Sequence, residues 1–350
     1  MSERVRYVDD VSYYPAEDAD DSVVAANQIS AALTHIDQHP DSLMRWPYPE
    51  LDALTGPMGG GEVWFTAAFS GGGKTTFVVS TIEAWRAAGK RVYVMPLELS
   101  PSRFRTYLGC MATGIYPGDA LSRQLRADPT RNGDRERLKA AVQAQYKPEY
   151  RDLVRISEQT SINVRGLERG LREAKDFGAD IVIVDHIDHI EGGDGSNLFT
   201  ESYAVNNAAL HMAQDNDLLL WFTSQLNMEI GKGRDHLAKF GAPMQHHLMF
   251  PTAKIKNATG IIGLFRPLRA MSAGETPKEY AAALKAARAG DPNAPDVLEH
   301  GVMGVNMMKL RNYGRNEGRK VMLGFVNGRV VPMSERDRWT TANGYARRML

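Results

Sequence analysis

The run Ala68-Phe-Ser70-Gly71-Gly72-Gly73-Lys74-Thr75-Thr76 sets three glycines directly before a lysine and two hydroxyls. Glycines let a backbone wrap an anion and present its N–H groups, a lysine reaches the β- and γ-phosphates, and a threonine hydroxyl ligates Mg²⁺. Ala68, Ser70, Gly71, Gly72, Gly73, Lys74, Thr75 and Thr76 are therefore the expected ATP-binding loop, with Lys74 at the phosphates and Thr75 on the metal. The pattern departs from G-x-x-x-x-G-K-[ST] at its first position, Ala68. In this motif alone, a glycine-rich turn before an ordinary helix would read the same way. The setting favours phosphate, because an apolar β-forming run (Val63 to Ala67) precedes the glycines and an apolar segment of helical spacing follows them. Two carboxylates end other apolar runs. Ile181-Val-Ile-Val184-Asp185 has the Walker B form, a buried parallel strand that aims its Asp at Mg²⁺ through water; an Asp capping the next turn is the plainer alternative. Arg91 to Met95 reads as a strand that delivers Glu98 at its C-terminal end, where open α/β sheets place ligands.

Such groups work together only if strand ends lie in one row. The alternation of apolar runs with helical periods supplies that scaffold. Leu153 to Ile156 and Asp217 to Asn227, the latter with a polar end, read as further strands, Ser100-Pro101 starts a helix, and Asn163 to Phe177 is amphipathic. Alternating strands and helices imply an α/β fold with a doubly wound, mainly parallel sheet. Ile261 to Phe265, Val302 to Leu310 and Lys320 to Val326 are additional strands, and antiparallel strands are expected at the C-terminal end of the sheet. The expected organisation is an acidic tail and helix at 1–45, a core at 46–332 with a surface insertion at about 270–300, and a basic tail at 333–350. The helix near 21–36 either caps its own core or packs on a neighbouring subunit.

Composition narrows the classes. With 43% hydrophobic and 24% charged residues, the chain can bury one large core. No apolar run is long enough to span a membrane, and the N-terminus has no signal-peptide apolar region, so no membrane role and a cytoplasmic location are expected. The single Cys110 excludes an internal disulfide. The net charge of +0 conceals an asymmetry: residues 1–50 hold ten acidic and three basic residues, and 301–350 hold three acidic and ten basic. A basic surface can bind nucleic acid whatever the total, although solvated tails would produce the same asymmetry.

In order and spacing, these segments resemble the RecA-type motor domain of DnaB-like replicative DNA helicases, phage ring helicases included, over roughly residues 45–330. The resemblance rests on Leu51-Asp52-Ala-Leu-Thr55-Gly56, the alanine-first loop, Pro96-Leu-Glu98-Leu-Ser100, Val184-Asp185-His-Ile, Thr223-Ser-Gln225-Leu-Asn227 and Lys309-Leu-Arg311-Asn312-x-Gly314. It implies a RecA-like P-loop core, ATP and Mg²⁺ as cofactors, a hexameric ring translocating on single-stranded DNA in replication, and a primase or loader as partner. AAA+ proteins usually carry the catalytic Glu directly after the Walker B Asp. Here His186 stands there, so the resemblance assigns the water-activating base to Glu98. It makes Gln225 the γ-phosphate sensor, and Lys309 and Arg311 the basic pair inserted into the neighbouring subunit's ATP site. Lys232, Arg234 and Lys239, in the long 228–252 stretch, would track the DNA backbone.

Two departures stand out. Where the family carries acidic positions, the run Thr252 to Gly260 has none and contains Lys254 and Lys256. Nothing corresponds to an N-terminal collar or primase domain. A RecA/RadA/KaiC-type ATPase that binds DNA or forms a scaffold without unwinding would use the same nucleotide site, as would a P-loop ATPase with no DNA role.

Overall fold

The computed structural model describes residues 43–69, 71–115, 117, 132–159, 162–191, 198–227, 242–249, 251–267, 274, 276–289, 301–311, 314–326 and 328–342. The expected helix near 21–36, Ser70, Lys232, Arg234, Lys239 and Asn312 lie outside these residues, as do parts of the 270–300 insertion and of the C-terminal tail.

The chain enters through α1 (Pro49–Thr55) and then alternates through β1 (Val63–Ala68), α2 (Lys74–Ala87), β2 (Val92–Pro96) and α3 (Pro101–Thr113). Next come α4 (Asn132–Ala144), α5 (Pro148–Arg151), β3 (Val154–Ile156), β4 (Ile162–Asn163), α6 (Val164–Phe177), β5 (Ile181–Asp185), β6 (Ile190–Glu191), α7 (Leu198–Asn216) and β7 (Leu220–Gln225). The chain closes with α8 (Pro251–Asn257), β8 (Gly260–Phe265), α9 (Pro277–Ala289), β9 (Val302–Leu310), β10 (Lys320–Val326), β11 (Arg329–Val331) and α10 (Met333–Ala342).

Nine strands form one sheet in the order β11-β10-β9-β8-β1-β7-β5-β2-β3. From β8 to β3 all neighbours are parallel, whereas β9, β10 and β11 join antiparallel. The fold is therefore the expected α/β, RecA-like sheet with C-terminal antiparallel strands. Central strands are buried on both faces, which explains their unbroken apolar runs.

Side-chain alternation divides the core between the faces. Trp64 and Ala68 point into one cluster with Phe77, Trp85 and Trp221, while Val63, Phe65 and Ala67 join Phe222, Tyr93 and Met95 on the other. The lead-in segment completes the first cluster. Trp46 packs edge-on to Trp221 at 5.3 Å and to Trp64 at 6.0 Å, and Trp85 Nε1 donates to Arg45 O. That packing anchors α2 from outside the sheet.

At the far end, α10 lies on β10, and Met333 N donates to Glu50 Oε1. A side chain at Gly324 would meet Arg336 Cβ at 2.3 Å, so glycine is what allows this close approach. Residues 333–342 are thus a helix packed on the sheet, in a stretch the sequence reading treats as tail. Among the described residues, no helix is long and apolar enough to cross a membrane.

Candidate nucleotide-binding site

The parallel register brings the candidate residues together. Ala68 pairs with Gln225 and Pro96 with Asp185, so β1, β7, β5 and β2 end along one sheet edge. Beyond β2, Leu97 N and Glu98 N both donate to Asp185 O, which pins Glu98 beside the end of β5. Sequence separation is irrelevant to this meeting; parallel crossovers return each strand in the same direction.

After β1 the backbone turns through glycines that the geometry requires. Gly71 and Gly73 have φ of 74° and 87°, the left-handed region that favours glycine. Gly72 donates to Phe69 O at 2.8 Å, and a Cβ there would sit 2.9 Å from that oxygen. Gly73 caps α2, whose first residues are Lys74, Thr75 and Thr76. The N–H groups of this turn of helix have no intrahelical acceptors, an arrangement suited to phosphate.

These residues line a cleft of about 320 Å³ together with Glu98, Tyr107, Gln225, Arg266 and Met303. Lys74 is nearly buried, with Nζ 3.8 Å from Glu98 Oε2, whose side chain is 36% exposed. A bound phosphate would sit where Lys74 already points, and Glu98 retains access to water. His186 approaches the same oxygen of Glu98, with Nε2 at 3.8 Å from Oε2.

Asp185 is fully buried. Its Oδ1 accepts from Thr223 Oγ1 at 2.5 Å, and its Oδ2 has no hydrogen-bond partner. Burial raises its pKa, against the lowering influence of Thr223, Lys74 and His186. A desolvated carboxylate with a spare oxygen at the phosphate end of the sheet fits a hydrated Mg²⁺ arriving with the nucleotide, with Thr75 as its partner. Among the described residues, no group of three or more His, Cys, Asp or Glu could hold a metal ion; a Mg²⁺ held by one carboxylate and a hydroxyl takes its other ligands from phosphate and water.

Behind this row lies a network that sequence reading missed. The turn after β5 brings Asp188 back under the end of β7, where its Oδ2 accepts from Ser224 Oγ at 3.0 Å and Gln225 N at 2.9 Å. Lys254 of α8, completely buried, places Nζ 2.5 Å from Asp188 Oδ1 and 2.7 Å from Ser224 Oγ. Burial alone would raise the Asp188 pKa, but the Lys254 ammonium and the surrounding donors prevail and hold it well below the ordinary carboxylate range. The sequence shows two lysines, Lys254 and Lys256, in this stretch, and only the fold identifies Lys254 as the buried one.

Arg266 was also missed. It follows β8, which runs parallel to β1, so the same strand-end rule that found Glu98 would have found it.

Lys309 and Arg311 do not line this cleft. Because β9 runs antiparallel to β8, with Gly304 opposite Phe265 and Leu310 opposite Gly260, its C-terminal end lies on the opposite sheet edge. There Lys309 Nζ donates to the carbonyls of Ile255 and Ala258, and Arg311 Nη2 donates to Lys256 O at 2.9 Å.

The sequence matches the family described as DnaB-like helicase C terminal domain over residues 44–245. Among solved structures, the ATPase domain of G40P superposes with a TM-score of 0.65 at 17% identity, covering 90% of this chain and 99% of that one. A DnaB-like replicative helicase, described with its interactions with primase, gives a TM-score of 0.64 at 16% identity. That match covers 87% of this chain and 66% of the other. At such identities the structural likeness speaks for the fold alone. A search of curated proteins finds none that matches.

Proposed function

The chain belongs to the DnaB-like helicase C-terminal domain family, and on that premise we propose that it is an ATP-driven DNA helicase. It works as a hexameric ring on single-stranded DNA during replication, in the cytoplasm, with hydrolysis sites shared between subunits. The observation that carries this reading is the division of the catalytic set. Glu98 and Gln225 line the cleft of their own chain, whereas Lys309 and Arg311 stand at the other sheet edge, away from that cleft, which supports a role for them in the site of a neighbouring copy.

In this mechanism the loop amides and Lys74 hold the β- and γ-phosphates of ATP, and Thr75 and Asp185 hold Mg²⁺. Bound Mg²⁺ neutralises charge on the phosphate oxygens. Glu98 orients the attacking water and accepts its proton, a role that suits a carboxylate open to solvent beside Lys74. Gln225 senses the γ-phosphate. Lys309 and Arg311 of one copy stabilise the charge that develops in the site of the next, by the logic of an arginine finger. Lys232, Arg234 and Lys239 contact the DNA backbone. A primase is the first partner to test, because the solved relative described with primase has this fold.

The test is ATP hydrolysis with and without single-stranded DNA, for the wild type, Glu98→Gln and Arg311→Ala, alone and mixed. The proposal requires DNA stimulation, loss in each variant, and partial recovery on mixing, since a mixed ring contains sites with one intact Glu98 and one intact Arg311. Hydrolysis that ignores both DNA and Arg311→Ala would refute it. Strand displacement on a forked duplex then separates a helicase from an ATPase of the non-unwinding kind.

A further inference from the structure

The ion pair between Lys254 and Asp188 takes no part in the chemistry above, yet both groups are out of water. Desolvating two charges is unfavourable unless every remaining donor and acceptor is engaged, and here nearly all are. Asp188 gathers Lys254 Nζ, Ser224 Oγ and Gln225 N, and lies 3.3 Å from His186 Nδ1. Through His186 and Gln225 it touches two groups beside the cleft.

The helix that carries Lys254 has a second set of contacts. Downstream of Lys254, the carbonyls of Ile255, Lys256 and Ala258 accept from the side chains of Lys309 and Arg311, and Thr259 O accepts from Arg311 N. Thus α8 and the two residues after it carry both sets of contacts, one to the network behind the phosphate end of the sheet and one to the basic pair. It is a seven-residue helix, so the two sets of contacts lie within about two turns of each other.

We propose that Lys254 is a positioning residue that, through Asp188, sets the Gln225 end of β7 and, through α8, couples it to the Lys309–Arg311 pair presented to the next copy of the chain. Loss of the γ-phosphate beside Gln225 would alter the anchor of α8 and re-aim the cations at the other edge. The inference rests on the reading that Lys309 and Arg311 act in a neighbouring site. It goes beyond that reading by naming the physical link between one site and the next. Coupling of this kind is established by energetics, not by intermediacy alone.

The experiment is a double-mutant cycle on kcat and KM for ATP with Lys254→Met, Arg311→Ala and the two combined, in the full-length chain. Methionine keeps the length and apolar stem of lysine but not its charge. Lys254→Met is expected to lower kcat about tenfold or more with KM changed less than about threefold, the signature of a lost transition-state contribution and not of lost binding. Added to Arg311→Ala, it should lower kcat by no more than about threefold further, because both act through one contact. A wild-type kcat in Lys254→Met, or losses that multiply in full, would overturn the link. If Lys254→Met does not fold, Lys254→Met/Asp188→Asn, which leaves no unpaired charge, replaces it in the cycle with the same expectations. An Arg311→Ala variant with unaltered kcat would instead refute the shared-site reading, and the coupling with it.

Discussion

Asp185→Asn should stabilise the nucleotide-free protein while abolishing its response to Mg²⁺ and ATP. The asparagine keeps an oxygen for Thr223 Oγ1 and inherits the same partnerless position at the other atom, so the main difference is the buried negative charge. Leaving a buried charged group uncompensated costs roughly 1–3 kcal/mol or more, and Lys74 and His186 offset only part of it here. At about 2 °C per kcal/mol for a chain of this size, the apo variant should melt about 2–6 °C above wild type near pH 8. The pH dependence has a definite sign. Burial raises the folded-state pKa of Asp185 above its unfolded value, so the folded wild type holds this proton more tightly and loses stability as pH rises between the two values. The advantage of the variant should therefore be small near pH 4 and grow to a plateau. With Mg²⁺ and ATP at about 100 times Kd, wild type gains roughly 2.7 kcal/mol, about 5 °C, and the variant much less, so most or all of the variant's lead in melting temperature is lost. Differential scanning fluorimetry across pH, with and without Mg²⁺ and ATP, measures both effects. An apo variant that melts below wild type at pH 8 would refute the reasoning, because the carboxylate would then be fully compensated by its neighbours.

Glu98→Gln should lower ATP turnover by about 10²–10⁴-fold while equilibrium binding of a fluorescent ATP analogue stays within a few-fold of wild type; equal loss of both would make Glu98 a binding residue. Trp46→Ala removes a ring packed against four other aromatic rings and should cost about 3–5 kcal/mol, read as a lower urea midpoint at unchanged slope. The buried Cys110 thiol, pushed up to about 12 by desolvation, should resist a disulfide-exchange reagent at pH 8 in the native protein and react fully in guanidinium; rapid native labelling would mean that the core around it opens.

Local chemistry made much of this protein legible before folding. Apolar runs such as Ile181–Asp185 announce strands because a sheet covered on both faces needs side chains that tolerate no water, and Gly71 to Gly73 before Lys74 announce a turn that only glycine can make. The α/β class, the mainly parallel sheet and the family were accessible for this reason: each depends on periodicity or on short motifs read within a few residues. What lay beyond the sequence depends on pairs far apart in the chain. That Glu98 sits 3.8 Å from Lys74 follows from β5 and β7 inserting between β1 and β2, a matter of sheet order. That Lys254 is buried against Asp188, 66 positions away, has no local signature, because a lysine between an alanine and an isoleucine, two residues from a second lysine, looks like a solvated helix face until the partner carboxylate is in place. The two edges of the sheet were likewise indistinguishable in one dimension. Only the antiparallel return of β9 sends Lys309 and Arg311 away from their own phosphate loop, since strand direction is fixed by pairing and not by the residues at a strand's end.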